Sequence, residues 1–447
     1  MKPTHVQCLT GATLLAGVFF VFPIPHTVAL RNLLLLALIG MLLVMWRRGE
    51  TAAGGGVAVY RNMEIPALGA LTLWMFVQTS LWAVDKAFSF GDLIEEWLGT
   101  LLVAWVGYAV ARRLSKTDAP NCCADRLPAW IALALFVHTG WMLAYQAVRW
   151  AQTGHYALGS MPYGDYAVLS TPINMAFALL AADLAVRWLG DGKLFPWSDR
   201  AARLLLFVTT VAVIAVRARN GVITVFAVLA MLALLLAWRK RGLRQSRRGM
   251  LAFLTVLMLA TSLLAANLLA DRRWATFFGS VTMAQDTAGH KAWLDDPQYP
   301  WPMLDAGQAA DHSAYMRIAW AKVALDGIAS RPLGYGYGLG GFGRYIEAEY
   351  GRKGFVSSHS GLLDFTLANG LPGLALLLAL CFLLFRRGWL AWSAGNPWGL
   401  ALMLTLANYF VRIVLDGHFG SFRLKMVALL LGILYWLTVR PAANREA

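Results

Sequence analysis

Long apolar runs dominate the chain from one end to the other, separated by short polar or glycine-rich breaks. Stretches such as "LLLLALIGMLLVMW" and "GVITVFAVLAMLALLLAW" belong to segments of the length, roughly 17–25 residues, that carries a helix across a hydrocarbon core. Neither "LLLFVTTVAVIAV" nor "LALLLALCFLLF" alternates with a period of two. A barrel is therefore excluded, and the backbone hydrogen bonds close within each segment. The pattern predicts spans near 8–25, 28–46, 65–84, 95–111, 128–148, 168–186, 203–216, 221–238, 250–269, 361–385, 397–415 and 421–439. The expected fold is an all-α polytopic membrane protein of about twelve transmembrane helices, with ends uncertain by a few residues. It divides into helices over 1–269, one large outer loop over 270–360 carrying surface helices, and further helices over 361–447.

Composition agrees with the pattern: 59% of residues are hydrophobic and only 14% charged, which excludes an ordinary soluble enzyme. The net charge of +15 invites a nucleic-acid reading, but its placement marks topology instead. With both termini in the cytoplasm, "RR" at 47, "RRLSK" at 112, "RKRGLRQSRR" at 239 and "RR" at 386 all fall inside, as the positive-inside rule requires. No small-residue cleavage site precedes "FPIPH", so the first apolar run is read as a span and not a cleaved signal. Cys8, Cys122, Cys123 and Cys381 fall in spans or on the cytoplasmic side, where no disulfide framework is expected, and Cys122 and Cys123 lack zinc-ligand spacing.

The connection over 270–360 is unlike the others, being long, polar and on the outer side. "DHSAYMRIAWAKVALDGIASRP" predicts an amphipathic helix with Met316, Trp320, Val323 and Ala324 at three- and four-residue spacing, ended by Pro332 and lying along the membrane surface. The following "RPLGYGYGLGGFGRY" packs glycines among aromatics, a composition that forbids regular helix and lets backbone approach a ligand closely. No Gly-Lys-Ser/Thr follows and no strand precedes it, so it is not a phosphate-binding P-loop. With no nucleotide-binding unit and no repeat, chemical energy for any reaction must already reside in the substrate.

Outer-side cations are the ones that topology does not explain. Arg217 and Arg219 sit in the tight turn "VRARNG" after the seventh predicted span, where a guanidinium prefers a planar anion to lipid, although snorkelling to headgroups is the simpler account. Arg317 lies one turn before Trp320, so the two can hold an anion against an apolar floor; a salt bridge to Asp311 or Asp326 is the alternative. Arg412 precedes Asp416 by four residues, a spacing that suits an internal ion pair. His359, in "GFVSSHSGLLDFTLANGLPG", stands where a polar stretch turns into an apolar helix. Capping by Ser357 or Ser358, the helix dipole and the arginines all disfavour the imidazolium, leaving a neutral ring suited to general-base work. Asp295 and Asp296 read as a turn rather than as metal ligands, so neither metal nor cofactor is expected.

Arginines beside one neutral histidine point to a chemistry in which guanidinium groups hold a pyrophosphate leaving group and the imidazole deprotonates an incoming hydroxyl. The donor is then a lipid-linked sugar pyrophosphate, with Trp320, Tyr335, Tyr337, Tyr345, Trp293, Tyr299 and Trp301 as candidate sugar-stacking rings or as members of an interfacial aromatic belt.

These motifs in this order, "RARNG", "RIAWAKVALDGIASRPLGYGYGLGGF" and "SSHSGLLDFTLANGLPG", resemble the O-antigen ligase and polymerase superfamily of bacterial inner membranes over roughly the second half of the chain. The family pattern falls on Arg219, on Arg317 with Trp320, on Pro332 with Gly334 and Gly336, and on His359 with Gly370 and Gly373; Ser360 stands where many relatives carry asparagine. The resemblance implies metal-independent, inverting transfer of a glycan from undecaprenyl pyrophosphate to a hydroxyl acceptor on the periplasmic face. A single large outer loop favours a ligase acting on the lipid A core over a polymerase, and the short "RPAANREA" end argues against a protein oligosaccharyltransferase. The expected partners are that donor, the lipid A core and membrane lipids, with no nucleic acid. A transporter or flippase is the reading from another class; its mark would be polar residues gathered at mid-bilayer, whereas Gln78, Asn174, Asp183 and Asn408 are scattered.

Overall fold

The computed structural model describes residues 5–47, 62–114, 123–155, 166–216, 218–239, 275–304, 307–337, 341–417 and 419–439, with Tyr163 and a few positions of 254–269. The fold is all-α and polytopic, and nine of its described helices are long and apolar enough to cross a membrane. In chain order the helices are α1 (His5–Val21), α2 (Val28–Arg47), α3 (Glu64–Trp82), α4 (Lys86–Asp92), α5 (Gly99–Leu114), α6 (Cys123–Thr153), α7 (Tyr166–Leu189), α8 (Asp199–Ala215) and α9 (Arg219–Arg239). The long connection contributes α10 (Phe277–Gln285), α11 (His312–Ser330) and α12 (Gly341–Tyr350), and the chain closes with α13 (Gly361–Ser393), α14 (Trp398–Leu415) and α15 (Ser421–Val439). The span expected over 250–269 lies almost wholly outside the described residues.

Two segments depart from the expected spans. The fourth starts earlier than residue 95, because α4 runs into α5 through a π-helical stretch, Leu93–Leu98, that carries Glu95 and Glu96. There Glu96 pairs with Lys425 of α15 at 3.5 Å, and Trp97 Nε1 donates to Thr72 of α3 at 3.0 Å. A carboxylate inside an apolar helix is tolerable when a cation from a neighbouring helix meets it. Small residues bring α5 and α15 into backbone contact: a side chain at Gly107 would lie 2.3 Å from the Leu429 carbonyl oxygen, and one at Gly432 would lie 2.1 Å from that of Ala104. Two of the scattered polar residues serve local structure: the Asp183 carboxylate accepts from the amides of Leu194 and Phe195 and pairs with Arg187, and Asn174 donates to the Gly221 carbonyl at 3.2 Å.

The second departure is α13, which extends to Ser393 but breaks at Gly370, where φ is 70° and ψ is −179°. A break in an apolar helix frees carbonyl and amide groups that lipid cannot satisfy. The glycine-rich segment after α11 satisfies them. The Tyr335 and Gly336 amides donate to the Leu367 and Ala368 carbonyls at 2.9 Å each, and the freed Leu371 amide donates to the Pro332 carbonyl at 2.8 Å. A Cβ on Gly334 would lie 2.4 Å from the Ala368 carbonyl oxygen, and one on Gly370 would lie 2.5 Å from the Pro332 carbonyl oxygen. The sequence suggested that the glycines after α11 let backbone approach a ligand; at Gly334 the closely approaching backbone is that of Ala368.

Helix ends alternate between two faces of the bundle. At one face Arg387 of α13 pairs with Glu64 of α3 at 3.1 Å, and Asn396 bonds the Leu437 carbonyl at 2.8 Å. At the other, the Val84 amide bonds Tyr335 at 2.8 Å, Asp85 pairs with Arg344 at 2.7 Å, and the long connection folds over the helix ends. That connection has its own apolar core, built from Trp293, Tyr315, Met316, Ala319, Phe342 and Ile346 with Leu367 of α13. Met316, Val323 and Ala324 of α11, expected to face the membrane surface, are buried within this core.

Candidate functional site

α11 begins at Asp311, whose carboxylate caps the helix by accepting the Ala314 amide at 2.8 Å. The same oxygen lies 3.2 Å from Nη2 of Arg219 at the start of α9, and both side chains are about nine-tenths buried. Arg317, one and a half turns further on, pairs with neither Asp311 nor Asp326. Its Nη1 donates to Asn220 Oδ1 at 2.8 Å, while Asp326 is held by Lys322 at 2.5 Å. Asn220 in turn donates through Nδ2 to the Leu415 carbonyl at 3.0 Å, at the end of α14. A charged pair and a charge-assisted hydrogen bond thus tie the long connection to the first turn of α9.

From Leu415 the contacts run on to the histidine. The next carbonyl, that of Asp416, accepts the Gly361 amide at 2.9 Å. Gly417 is pressed against the turn that holds His359, since a Cβ there would lie 2.0 Å from Ser357 Oγ and 3.4 Å from His359 Cα. His359 itself is exposed, between buried Ser358 and Ser360, and its backbone is left-handed with φ at 59°. Its ring stacks on Trp320 with centroids 5.1 Å apart and planes 16° from parallel. Trp320 is one turn beyond Arg317 on α11, so the contacts close a ring through Arg317, Asn220, Leu415, Asp416, His359 and Trp320.

The helix cap is not the one expected. Ser360 caps α13, accepting the Leu363 amide at 3.5 Å, whereas Ser357 and Ser358 turn to Asp364 inside the first turn of that helix. Ser357 Oγ donates to Asp364 Oδ2 at 2.6 Å and accepts the His359 amide at 3.0 Å, while the Ser358 amide donates to Asp364 Oδ1 at 2.9 Å. Ser357 and Asp364 also line a cavity of about 130 Å³ with Tyr337, Asn369, Gly417 and Phe419.

The remaining predicted residues sit around this ring in different ways. Arg412 is buried, donates to Ser170 Oγ and lies 3.4 Å from Asp416, the internal pair that the four-residue spacing suggested. Arg217 lies outside the described residues. Trp320 gives one face to His359 and its Nε1 to the Trp293 carbonyl at 2.9 Å. Tyr335 and Tyr337 are buried, Tyr335 bonding Ser330 Oγ at 2.9 Å. Burial, with Glu96 and Asp92 adding to it, pushes the Tyr337 phenol well above its ordinary range, so it stays protonated. Asp295, left-handed at φ 49°, and Asp296, which accepts the Gln298 amide at 3.1 Å and pairs with Arg352 at 2.9 Å, form the turn expected of them. Sequence reasoning missed Asn220 and Asp364. Asn220 adjoins Arg219 in "RARNG", and Asp364 reads along the chain as one more polar residue at a helix start.

Fold and site together define a multi-pass membrane protein with arginine, asparagine and histidine side chains gathered over one end of its helices. Residues 204–378, the stretch that holds Arg219, Arg317, Trp320 and His359, match the O-antigen ligase family. A comparison with curated proteins gives no match.

Proposed function

We propose that the protein is an O-antigen ligase that transfers a glycan from undecaprenyl pyrophosphate to a hydroxyl of the lipid A core oligosaccharide, at the periplasmic face of the bacterial inner membrane. The observation that carries the reading is the ring of contacts, which brings Arg219, Arg317 and His359, remote in sequence, over one end of the helices. In this reading His359 takes the proton of the acceptor hydroxyl as that oxygen attacks the anomeric carbon from the face opposite the leaving group. The bond from that carbon to the pyrophosphate oxygen breaks, its electron pair leaves with the pyrophosphate, and the configuration inverts. Arg219 and Arg317 meet the charge that develops there, with Arg217, two residues before Arg219 in sequence, contributing and Arg412 supporting through Asp416. The proton leaves His359 to the pyrophosphate or to water. Trp320 keeps the imidazole plane in place, and Tyr335 and Tyr337 shape the loop that borders the donor.

The test is a reconstitution of purified protein with lipid-linked glycan and lipid A core, followed by the shift of the core to higher mass. Transfer is expected without nucleotide, and His359→Ala should lower it by about 10²–10⁴-fold while eluting as the same folded species. Full transfer by His359→Ala would reject the base. Elongation of the donor glycan without use of lipid A core would make the protein a polymerase instead, and donor movement across vesicles without transfer would make it a transporter.

A further inference from the structure

We infer that Asp364 is a positioning residue which, through Ser357, sets the backbone that presents His359; this rests on the reading of His359 as the general base. A non-glycine residue in the left-handed region is held there only if its surroundings over-determine it, and at functional sites such strain aims a side chain. At His359 the restraint is visible. Its own amide is donated to Ser357 Oγ, whose hydroxyl hydrogen goes to Asp364, and the amide just before it goes to the other Asp364 oxygen. One carboxylate therefore ties down the two residues that precede the histidine, from the first turn of α13, where the backbone is fixed by the Ser360 cap.

Geometry on the opposite side fits the same role. The Ser357 hydroxyl fills the space that a side chain at position 417 would take, since a Cβ on Gly417 would lie 2.0 Å from its oxygen. Trp320 blocks one face of the imidazole. With its backbone held through Ser357 and Ser358 by Asp364 and one ring face covered by Trp320, the imidazole meets a substrate through its nitrogen-bearing edge. Two hydrogen bonds to a half-buried carboxylate are more than capping requires, since Ser360 already performs that task.

The test combines kinetics with amide hydrogen exchange on the full-length protein in detergent. Asp364→Ala is expected to lower kcat by about 10²-fold and Ser357→Ala by about 10-fold, with KM for the lipid-linked donor within about twofold of wild type. The pH profile of Ser357→Ala should keep its shape, because the base is unchanged. In Asp364→Ala, segment 354–361 should exchange faster while α13 beyond Gly370 keeps its protection. Added to His359→Ala, Asp364→Ala should cost nothing more, as expected for residues acting as one unit. A further loss on that background, or a raised KM with kcat intact, would overturn the inference. Should Asp364→Ala fail to fold, Asp364→Asn and Ser357→Ala carry the same test, and wild-type kcat in both would equally overturn it. Full turnover by His359→Ala alone would instead remove the general base, leaving the exchange result to report on the turn itself.

Discussion

Arg219 and Arg317 are held by different kinds of partner, and that difference separates stability from catalysis. Arg219 faces a buried carboxylate that also caps α11, so removing its charge leaves Asp311 buried with no Arg219 partner. Arg219→Ala should therefore destabilise the protein by roughly 3 kcal/mol as well as weaken donor use. Arg317 donates to a neutral amide, and its loss leaves no buried carboxylate behind. Arg317→Ala should cost only about 1.5 kcal/mol of stability while lowering transfer by about 10²-fold. Thermal midpoints in detergent, read beside transfer rates, check the pair; a wild-type rate in Arg317→Ala would remove it from the site. At this scale the sequence singled out candidate residues but not their partners. Arg317 was read as an anion holder, with a salt bridge to Asp311 or Asp326 as the alternative; its partner is Asn220, whose proximity depends on how α9 and α11 pack.

Among the elements, the broken helix α13 and the glycine-rich segment form one unit. Each supplies hydrogen-bond partners that the other lacks, and the approach is so close that side chains are excluded at both glycines. Gly334→Ala and Gly370→Ala should each lower stability by more than the ~1 kcal/mol that a left-handed alanine costs on its own. Gly395→Ala supplies the control, since φ there is also positive, at 80°, yet nothing lies within 4 Å of the added carbon. Thermal midpoints of the three variants decide the matter, and equal shifts would show that the close approach contributes nothing. The apolar pattern marked where α13 begins. What the pattern could not convey is that the break is repaired by a segment some thirty-five residues upstream, because that pairing is between backbone groups, which every sequence has in common.

Across the whole molecule, partly buried charges link distant parts of the chain. Glu96 in the π-helical stretch meets Lys425 near the start of α15, joining the first half of the sequence to its last helix. Glu96→Leu or Lys425→Met alone should lower the thermal midpoint, each leaving its former partner partly buried without this opposite charge. The double variant should lie closer to wild type than either single one, since a partly desolvated pair replaced by apolar groups loses its desolvation cost together with its attraction. Additive shifts would show that the two charges do not interact.

The sequence by itself determined the all-α polytopic fold, most of the helix positions and the identities of the arginines and the histidine at one face. Hydrophobic length and charge bias are local properties, and lipid leaves the backbone little choice but to close its bonds within each segment. Only the tertiary structure decided that Trp320 lies on His359, that Asn220 bridges Arg317 to α14, and that Asp364 reaches back to the turn before its own helix. Those contacts are fixed by how helices distant in the chain pack against one another, and no local pattern of polar and apolar residues encodes that packing.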